Sequence, residues 1–509
     1  MTAGILLVLD GWGIAPPGPS NAIAAARTPS LDLLRATSLV TALAASGRAV
    51  GLPDGAVGNS EIGHLVIGAG RPLEYDSLLV ENEAKAGRLR AHPLLTQTCT
   101  RLAGGGGTLH LIGLMSDGRI HSDIGHVGEL LGAAADAGLR RVLVHAMTDG
   151  RDVPNGTAAA YLDQLARLMK AAGSGEIATL IGRNYTMDKS GNAELTAAAC
   201  DLILDANADR HYGDAAAALS GYVGDDASLP ATVIGPAGNP ASQVAAGDAI
   251  LFANFRSDRT APLADMIADR LRESERGSVT LLSLAEYDTN CPIAALVSRA
   301  DASGGLSDAL SAAGLASVRI AEREKFEHVT FFVNGRDPTP RALDQHVCVR
   351  ADSAADYVKS PEMNVAEVSR QVAAAAKRPD AALVLANLAN IDVVGHTGDY
   401  TATVHATEAV DDAVAQIADV AREAGRWLMI VGDHGNGEQM TQADASGTER
   451  PYGGHTTNPV PVIIVPAKQS HPLAARTSGT LADVAPTALA LLGCPIPPTM
   501  TGRPLTYPT

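Results

Sequence analysis

The sequence predicts an α/β protein with largely parallel sheets, built as two domains of which one is inserted into the other. Three observations carry this. Short apolar runs alternate with longer Ala- and Leu-rich stretches along the whole chain, the pattern of strands and helices that follow one another in βαβ units. At 509 residues the chain exceeds what one ordinary core supports. Apolar runs near both ends of the chain finish in Asp or His. In open α/β sheets ligand-binding groups gather at the carboxyl ends of strands, so the first and last thirds are expected to share one sheet.

The expected strands are 5–9, 109–115, 142–146, 177–181, 249–253, 279–284, 328–333, 382–388, 427–431 and 460–465. The expected helices are 128–138, 157–172, 262–273, 365–377, 404–424 and 481–492. Gly104 to Gly107 lacks the spacing and the Lys-Ser/Thr of a phosphate loop and is expected to be a flexible linker. Residues 1–75 plus 300–509 form the expected first domain and 76–299 the inserted one, with hinges near 75–78 and 299–306.

Hydrophobic residues at 46% and charged residues at 19% describe a globular chain. Aromatics are only 3%, so Ala, Leu, Val and Ile must build the core. A formal net charge of −17 disfavours nucleic acid or an anionic membrane as partner. An anionic substrate would then need a local cluster of Arg and Lys. The five cysteines are scattered, without a Cys-x-x-Cys pair, which suits buried thiols in a reducing cytoplasm. The N-terminus lacks the basic start of a signal peptide, and no apolar run approaches a membrane span. A soluble cytoplasmic protein is expected.

Run 5–9 ends in Asp10, run 427–431 leads through Gly432 to Asp433 and His434, and run 382–388 leads to Asp392 and His396. His455 follows two glycines. Asp392 and His396 are spaced i, i+4, so one local turn can aim both at one point. Mixed carboxylate and imidazole suits Mn²⁺, Zn²⁺ or a similar ion. Each residue alone is more often a cap or a satisfied core group; together they point to a metal centre. Residues 58–64 read Gly-Asn-Ser-Glu-Ile-Gly-His. The glycines allow a tight turn that exposes Ser60 at a helix start, where phosphate is favoured and a metal can lower the serine pKa. The blander alternative makes Ser60 an N-cap with Glu61 in the first turn.

These residues belong to a longer ordered set of motifs: Asp10 to Gly13, Gly51 to Gly55, the Ser60 segment, Gly68 to Arg71, Ser116 to Gly118 with His121 and Ser122, and Asp149 to Asp152. Gly182-Arg183, Met187-Asp188, Asn254 to Arg259, Glu322 to Lys325, His328 to Phe332, Pro361 to Met363, Val394 to Gly398, Asp433 to Asn436 and His455-Thr456 continue it. The set resembles the cofactor-independent (2,3-bisphosphoglycerate-independent) phosphoglycerate mutases of the alkaline phosphatase superfamily, over nearly the whole chain.

The resemblance implies an alkaline-phosphatase-like metal-binding domain carrying an inserted α/β substrate domain. It implies an isomerase of glycolysis and gluconeogenesis that exchanges 3-phosphoglycerate and 2-phosphoglycerate through a phosphoserine at Ser60, without added bisphosphoglycerate. Asp392, His396 and His455 would bind one divalent ion, and Asp10, Ser60, Asp433 and His434 the other, with Mn²⁺ expected at both. His121, Arg151, Asp152, Arg183, Arg256 and Arg259 would grip the substrate, joined by Lys325 from the metal domain. Forked guanidinium groups suit a substrate that carries both carboxylate and phosphate. The protein is expected to act as a monomer. Two segments depart from the family pattern: 184–194 lacks the usual Asn-Arg-Trp, with Lys189 where an arginine contacts substrate, and Asp225 to Ser228 lacks the usual acidic-aromatic pattern. Two other functions stay open at this point. One is a mutase or phosphatase for another small carboxylate-bearing phosphate or phosphonate, the other an inactive metal-binding regulatory protein.

Overall fold

The structure is a computed structural model that describes residues 2–188, 191–235, 242–350, 356–443, 448–468 and 473–508. The chain divides into two compact units, Met1–Glu74 with Ala300–Thr509, and Tyr75–Arg299.

The first unit is built on an eight-stranded sheet, in the order Asp344–Val349, Ala316–Glu322, Ala381–Leu388, Gly4–Leu9, Trp427–Gly432, Val460–Val465, Leu39–Ala44 and Ser478–Thr480. Its centre is parallel: Gly4–Leu9 pairs in parallel with both Ala381–Leu388 and Trp427–Gly432. Strand Gly4–Leu9 is buried along its whole length. This is why it reads as an unbroken apolar run instead of an alternating one, as a strand covered on both faces must. Helices Val365–Ala376 and Tyr400–Glu423 bury their apolar stripes on one core with it, among Ile5, Leu7, Val372, Val410, Val414 and Ile430. The register sets the function. Val8 lies beside Asn387, and Leu9 lies beside both Leu388 and Gly432. The three central strands therefore stop level, and the residues after them emerge side by side.

The second unit holds another eight-stranded sheet, in the order Ala294–Val297, Thr280–Ala285, Ala249–Phe252, Leu109–Leu114, Val142–Thr148, Glu176–Gly182, Thr232–Ile234 and Arg210–Tyr212. All its neighbours are parallel except Glu176–Gly182 with Thr232–Ile234. Apolar clusters cover the sheet, one around Leu111, Leu130 and Val144, the other around Ile112, Ile203 and Ile267. Both units are thus α/β, as expected.

Two sequence expectations are corrected. Residues 328–333 are not a strand: His328–Phe332 is a π-helical turn. A short apolar run does not distinguish a strand from a buried helical turn, and this one follows the strand Ala316–Glu322 by only a few residues. Gly104 to Gly107 is not a linker. Helix Pro93–Gly105 takes in Gly104 and Gly105, and Gly106, at φ 72°, ends the helix with its N–H on Leu102 O. Among the described residues no helix is long and apolar enough to cross a membrane. Cys99, Cys200, Cys291 and Cys494 are buried thiols and Cys348 is partly buried.

Candidate metal centre and active site

Asp10 follows its strand directly, and Gly11 turns the chain at φ 77°. A Cβ on Gly11 would also stand 2.9 Å from Asp392 Cα, so only glycine fits. The Gly11 N–H donates to Asp433 Oδ1 at 3.1 Å, as does His434 N–H at 3.0 Å. Asp392 sits in the helical turn Asn390–Gly395, which His396 ends. Asn390 ties that turn to the carbonyls of Pro361 and Glu362. Ser60 is the first residue of helix Ser60–Ala69, and the cap is Asn59, whose Oδ1 accepts from Ile62 N at 2.9 Å. Both sequence expectations for Ser60 are therefore corrected. It is neither the N-cap nor exposed, with 5% of its surface accessible, because the helix start packs into the cluster of strand ends.

The side chains converge. Ser60 Oγ lies 3.0 Å from Asp10 Oδ1 and 2.9 Å from His434 Nε2. His434 Nε2 is 3.4 Å from Asp10 Oδ1 and 3.6 Å from Asp433 Oδ2. Asp392 Oδ1, His396 Nε2 and His455 Nε2 form a triangle with sides of 3.4, 3.2 and 3.2 Å. His455 is oriented by Nδ1 on Gly58 O at 2.9 Å. Lys325 reaches the middle of the cluster, with Nζ 2.8 Å from Asp10 Oδ1, 2.6 Å from Asp392 Oδ2 and 2.6 Å from Ser60 Oγ.

Three buried carboxylates face one ammonium here, and the electrostatics show it. Burial alone would raise the Asp10 carboxyl, but Lys325 and His434 outweigh it and hold it well below the usual range. Burial would likewise raise Asp392, and Lys325 again wins and lowers it. Burial would lower the Lys325 ammonium, yet Asp10 and Asp392 push it up. His434, against burial, is raised to about 9 by Asp433, Asp10 and Asp392. The cluster is short of positive charge.

These residues fit divalent metal. Asp433 Oδ2 is buried and accepts no hydrogen bond, although His64 Nδ1 stands 3.3 Å away. Such an atom is costly unless something binds it. The triangle sides also match donors around one ion, since ligands ~2.1 Å from a metal stand about 3.0–3.4 Å apart.

Other residues that contact the cluster do not stand out in the sequence motifs. Glu438, 2% exposed, accepts from Gly13 N, Asn436 N, Asn458 Nδ2 and Thr456 Oγ1, and so locks the Asp433 and His455 loops together. His64 and Asn387 also contact the cluster. The signals were present: His64 closes the Ser60 segment, and Asn387 is the one polar residue late in run 382–388.

In the second unit, His121 Nδ1 bonds Asp152 Oδ2 at 2.7 Å, and Arg183 Nη1 bridges Asp149 Oδ1 and Asp152 Oδ1 at 2.7 Å each. Burial would raise the Asp152 carboxyl, but His121 and Arg183 lower it. Asp149, not expected as a site residue, organises the loop by accepting from the N–H groups of Arg151 and Asp152 and from Ser116. The backbone N–H of Phe255 donates to His121 O and brings the next loop alongside. Arg256 and Arg259 there share Asp258, at 2.9 and 3.4 Å. His121, Asp152, Arg183, Arg256 and Arg259 are thus gathered, and Arg151 is exposed beside them. Lys189 lies outside the described residues.

Buried carboxylates, histidines and a serine gathered at level strand ends define the site of a metalloenzyme. The family description "Metalloenzyme superfamily" matches residues 2–496. A 2,3-bisphosphoglycerate-independent phosphoglycerate mutase of Streptomyces coelicolor is 54% identical over 99% of this chain and 98% of its own. One from Moorella thermoacetica is 37% identical, over 98% of each. The crystal structure of Leishmania mexicana phosphoglycerate mutase at low cobalt concentration matches with a TM-score of 0.75 and 30% identity, over 100% of this chain and 98% of its own. The chain belongs to the 2,3-bisphosphoglycerate-independent phosphoglycerate mutases.

Proposed function

We propose that this chain interconverts 3-phosphoglycerate and 2-phosphoglycerate by passing the phosphoryl group through Ser60. The observation that carries the mechanism is Ser60 Oγ held at once by Asp10, His434 and Lys325. Asp392, His396 and His455 would hold one divalent ion, and Asp10, Ser60, Asp433 and His434 the other, with Mn²⁺ proposed at both as an ion that mixed carboxylate and imidazole accommodates. When bound, such ions neutralise the phosphate oxygens and lower the pKa of a neighbouring hydroxyl.

Ser60 Oγ bonds to phosphorus as the bond from phosphorus to the substrate's 3-oxygen breaks, leaving phosphoserine and glycerate. Lys325, charged and 2.6 Å from Ser60 Oγ, balances negative charge on that oxygen. The N-terminus of helix Ser60–Ala69 adds its positive end. The 2-hydroxyl oxygen of glycerate then bonds to phosphorus as the serine–phosphorus bond breaks. Residues 75–299 supply the substrate contacts through His121, Arg151, Asp152, Arg183, Lys189, Arg256 and Arg259, and Lys325 touches the transferred group. The protein works as a cytoplasmic monomer, without nucleic acid or membrane. The test is an assay of 3-phosphoglycerate with Mn²⁺ and no added bisphosphoglycerate. Formation of 2-phosphoglycerate is expected; inorganic phosphate as the sole product would overturn the mutase assignment.

A further inference from the structure

We infer that His64 and Asn387 form an uncharged brace that fixes the metal-facing oxygen of Asp10, a positioning role that rests on the metal assignment above. His64 lies one helical turn after Ser60, and its Nδ1 is 2.8 Å from Ser60 O. A carbonyl only accepts, so Nδ1 carries the hydrogen and Nε2 presents a lone pair in the neutral ring. Asn387 Nδ2 stands 3.0 Å from that Nε2 and 2.7 Å from Asp10 Oδ2. One amide nitrogen with two hydrogens thus serves an imidazole and a carboxylate together. Turning the amide over would set its oxygen against the Asp10 carboxylate, so the pair of acceptors fixes the orientation. The cost is visible, since Asn387 Oδ1 is buried without a partner. All four residues, Asp10, His64, Asn387 and Asp433, are fully buried.

The brace sorts the two oxygens of Asp10. Oδ2 is taken by Asn387, which leaves Oδ1 to face Ser60 Oγ, Lys325 Nζ and His434 Nε2. The amide and the neutral imidazole add no charge, so they orient the carboxylate without competing with a cation for it. The strand register puts Asn387 there: Val8 and Asn387 are neighbours, two residues before Asp10. Contacts of this outer kind change metal affinity by about 10–100-fold.

The test is calorimetric titration of chelator-stripped full-length protein with Mn²⁺, after circular dichroism has shown each variant folded. Asn387→Ala and His64→Leu are expected to raise the Mn²⁺ Kd by ~10–100-fold. His64→Gln, which keeps an acceptor near the place of Nε2, is expected to restore most of the affinity. If Asn387→Ala does not fold, the His64 pair decides. Folded variants with the wild-type Kd, or equal losses in His64→Leu and His64→Gln, would overturn the brace. Wild-type protein that took up no Mn²⁺ would overturn the metal assignment itself.

Discussion

Lys325→Met removes the one ammonium among three buried carboxylates while keeping the side chain's length and apolar stem. In wild type, Nζ bridges Asp10 Oδ1 at 2.8 Å, Asp392 Oδ2 at 2.6 Å and Ser60 Oγ at 2.6 Å, and the side chain is 7% exposed. Breaking a buried ion pair by removing one partner leaves an uncompensated charge and costs about 3–5 kcal/mol. Solvent screening gives little relief at this depth. For a unit of this size ~1 kcal/mol corresponds to about 2–4 °C in Tm, so metal-free Lys325→Met should melt roughly 6–20 °C below wild type. Divalent ions supply positive charge to the same carboxylates, so the deficit should shrink by more than half when Mn²⁺ is added. Turnover should nevertheless stay low by ~10²–10³-fold, because charge on the Ser60 oxygen has lost its partner. Differential scanning fluorimetry with and without Mn²⁺, and a coupled assay, measure both. Equal Tm values in the metal-free proteins would refute the argument that Lys325 compensates buried charge.

Further outcomes follow from other residues. Ser60→Ala should keep the fold and lose roughly 10³-fold or more of the mutase activity; near-normal turnover in the coupled assay would exclude the serine route. Gly63→Ala places a Cβ 2.8 Å from Asp433 O, so helix and strand end must part, lowering stability by about 1–3 kcal/mol and weakening Mn²⁺ binding in the same titration. Burial holds His145 well below its ordinary value, helped by His110. Below about pH 6.5 the unfolded chain therefore binds a proton that the folded one refuses, and stability falls by ~1.4 kcal/mol per pH unit from this residue. His145→Gln should flatten the slope between pH 6 and 5 in denaturant titrations, and an unchanged slope would contradict the assignment.

The parts of the site that could be read along the chain were those where chemistry interrupts a strand pattern. Asp10 and Asp433 each follow an apolar run buried on both faces, so the first charged residue marks the strand end. Residues acting from within such runs stand out as polar but show no partner in the sequence. Asn387 sits inside its strand, and only the register beside Val8 shows that it reaches Asp10. Strand Ala316–Glu322 was missed because Arg319 interrupts its apolar run; the structure buries that guanidinium among Ser307, Ser317 and Asp344. Run 328–333 failed in the opposite sense, as hydrophobicity without period says that a segment is buried but not its shape. Lys325 illustrates a third limit. Its contacts with Asp10, Ser60 and Asp392 span 315, 265 and 67 residues of sequence, so motif resemblance could assign it to substrate, while only the fold shows that it balances buried carboxylates.

In the proposed route the phosphoryl group rests on Ser60 between the two positions of glycerate. Acid quenching of Mn²⁺-loaded protein during turnover of 3-phosphoglycerate, without bisphosphoglycerate, followed by peptide mass spectrometry, tests it most directly. Phosphate is expected on Ser60 in wild type, and none in Ser60→Ala, which also forms no 2-phosphoglycerate. Production of 2-phosphoglycerate by Ser60→Ala, or phosphate found on another residue during wild-type turnover, would contradict it.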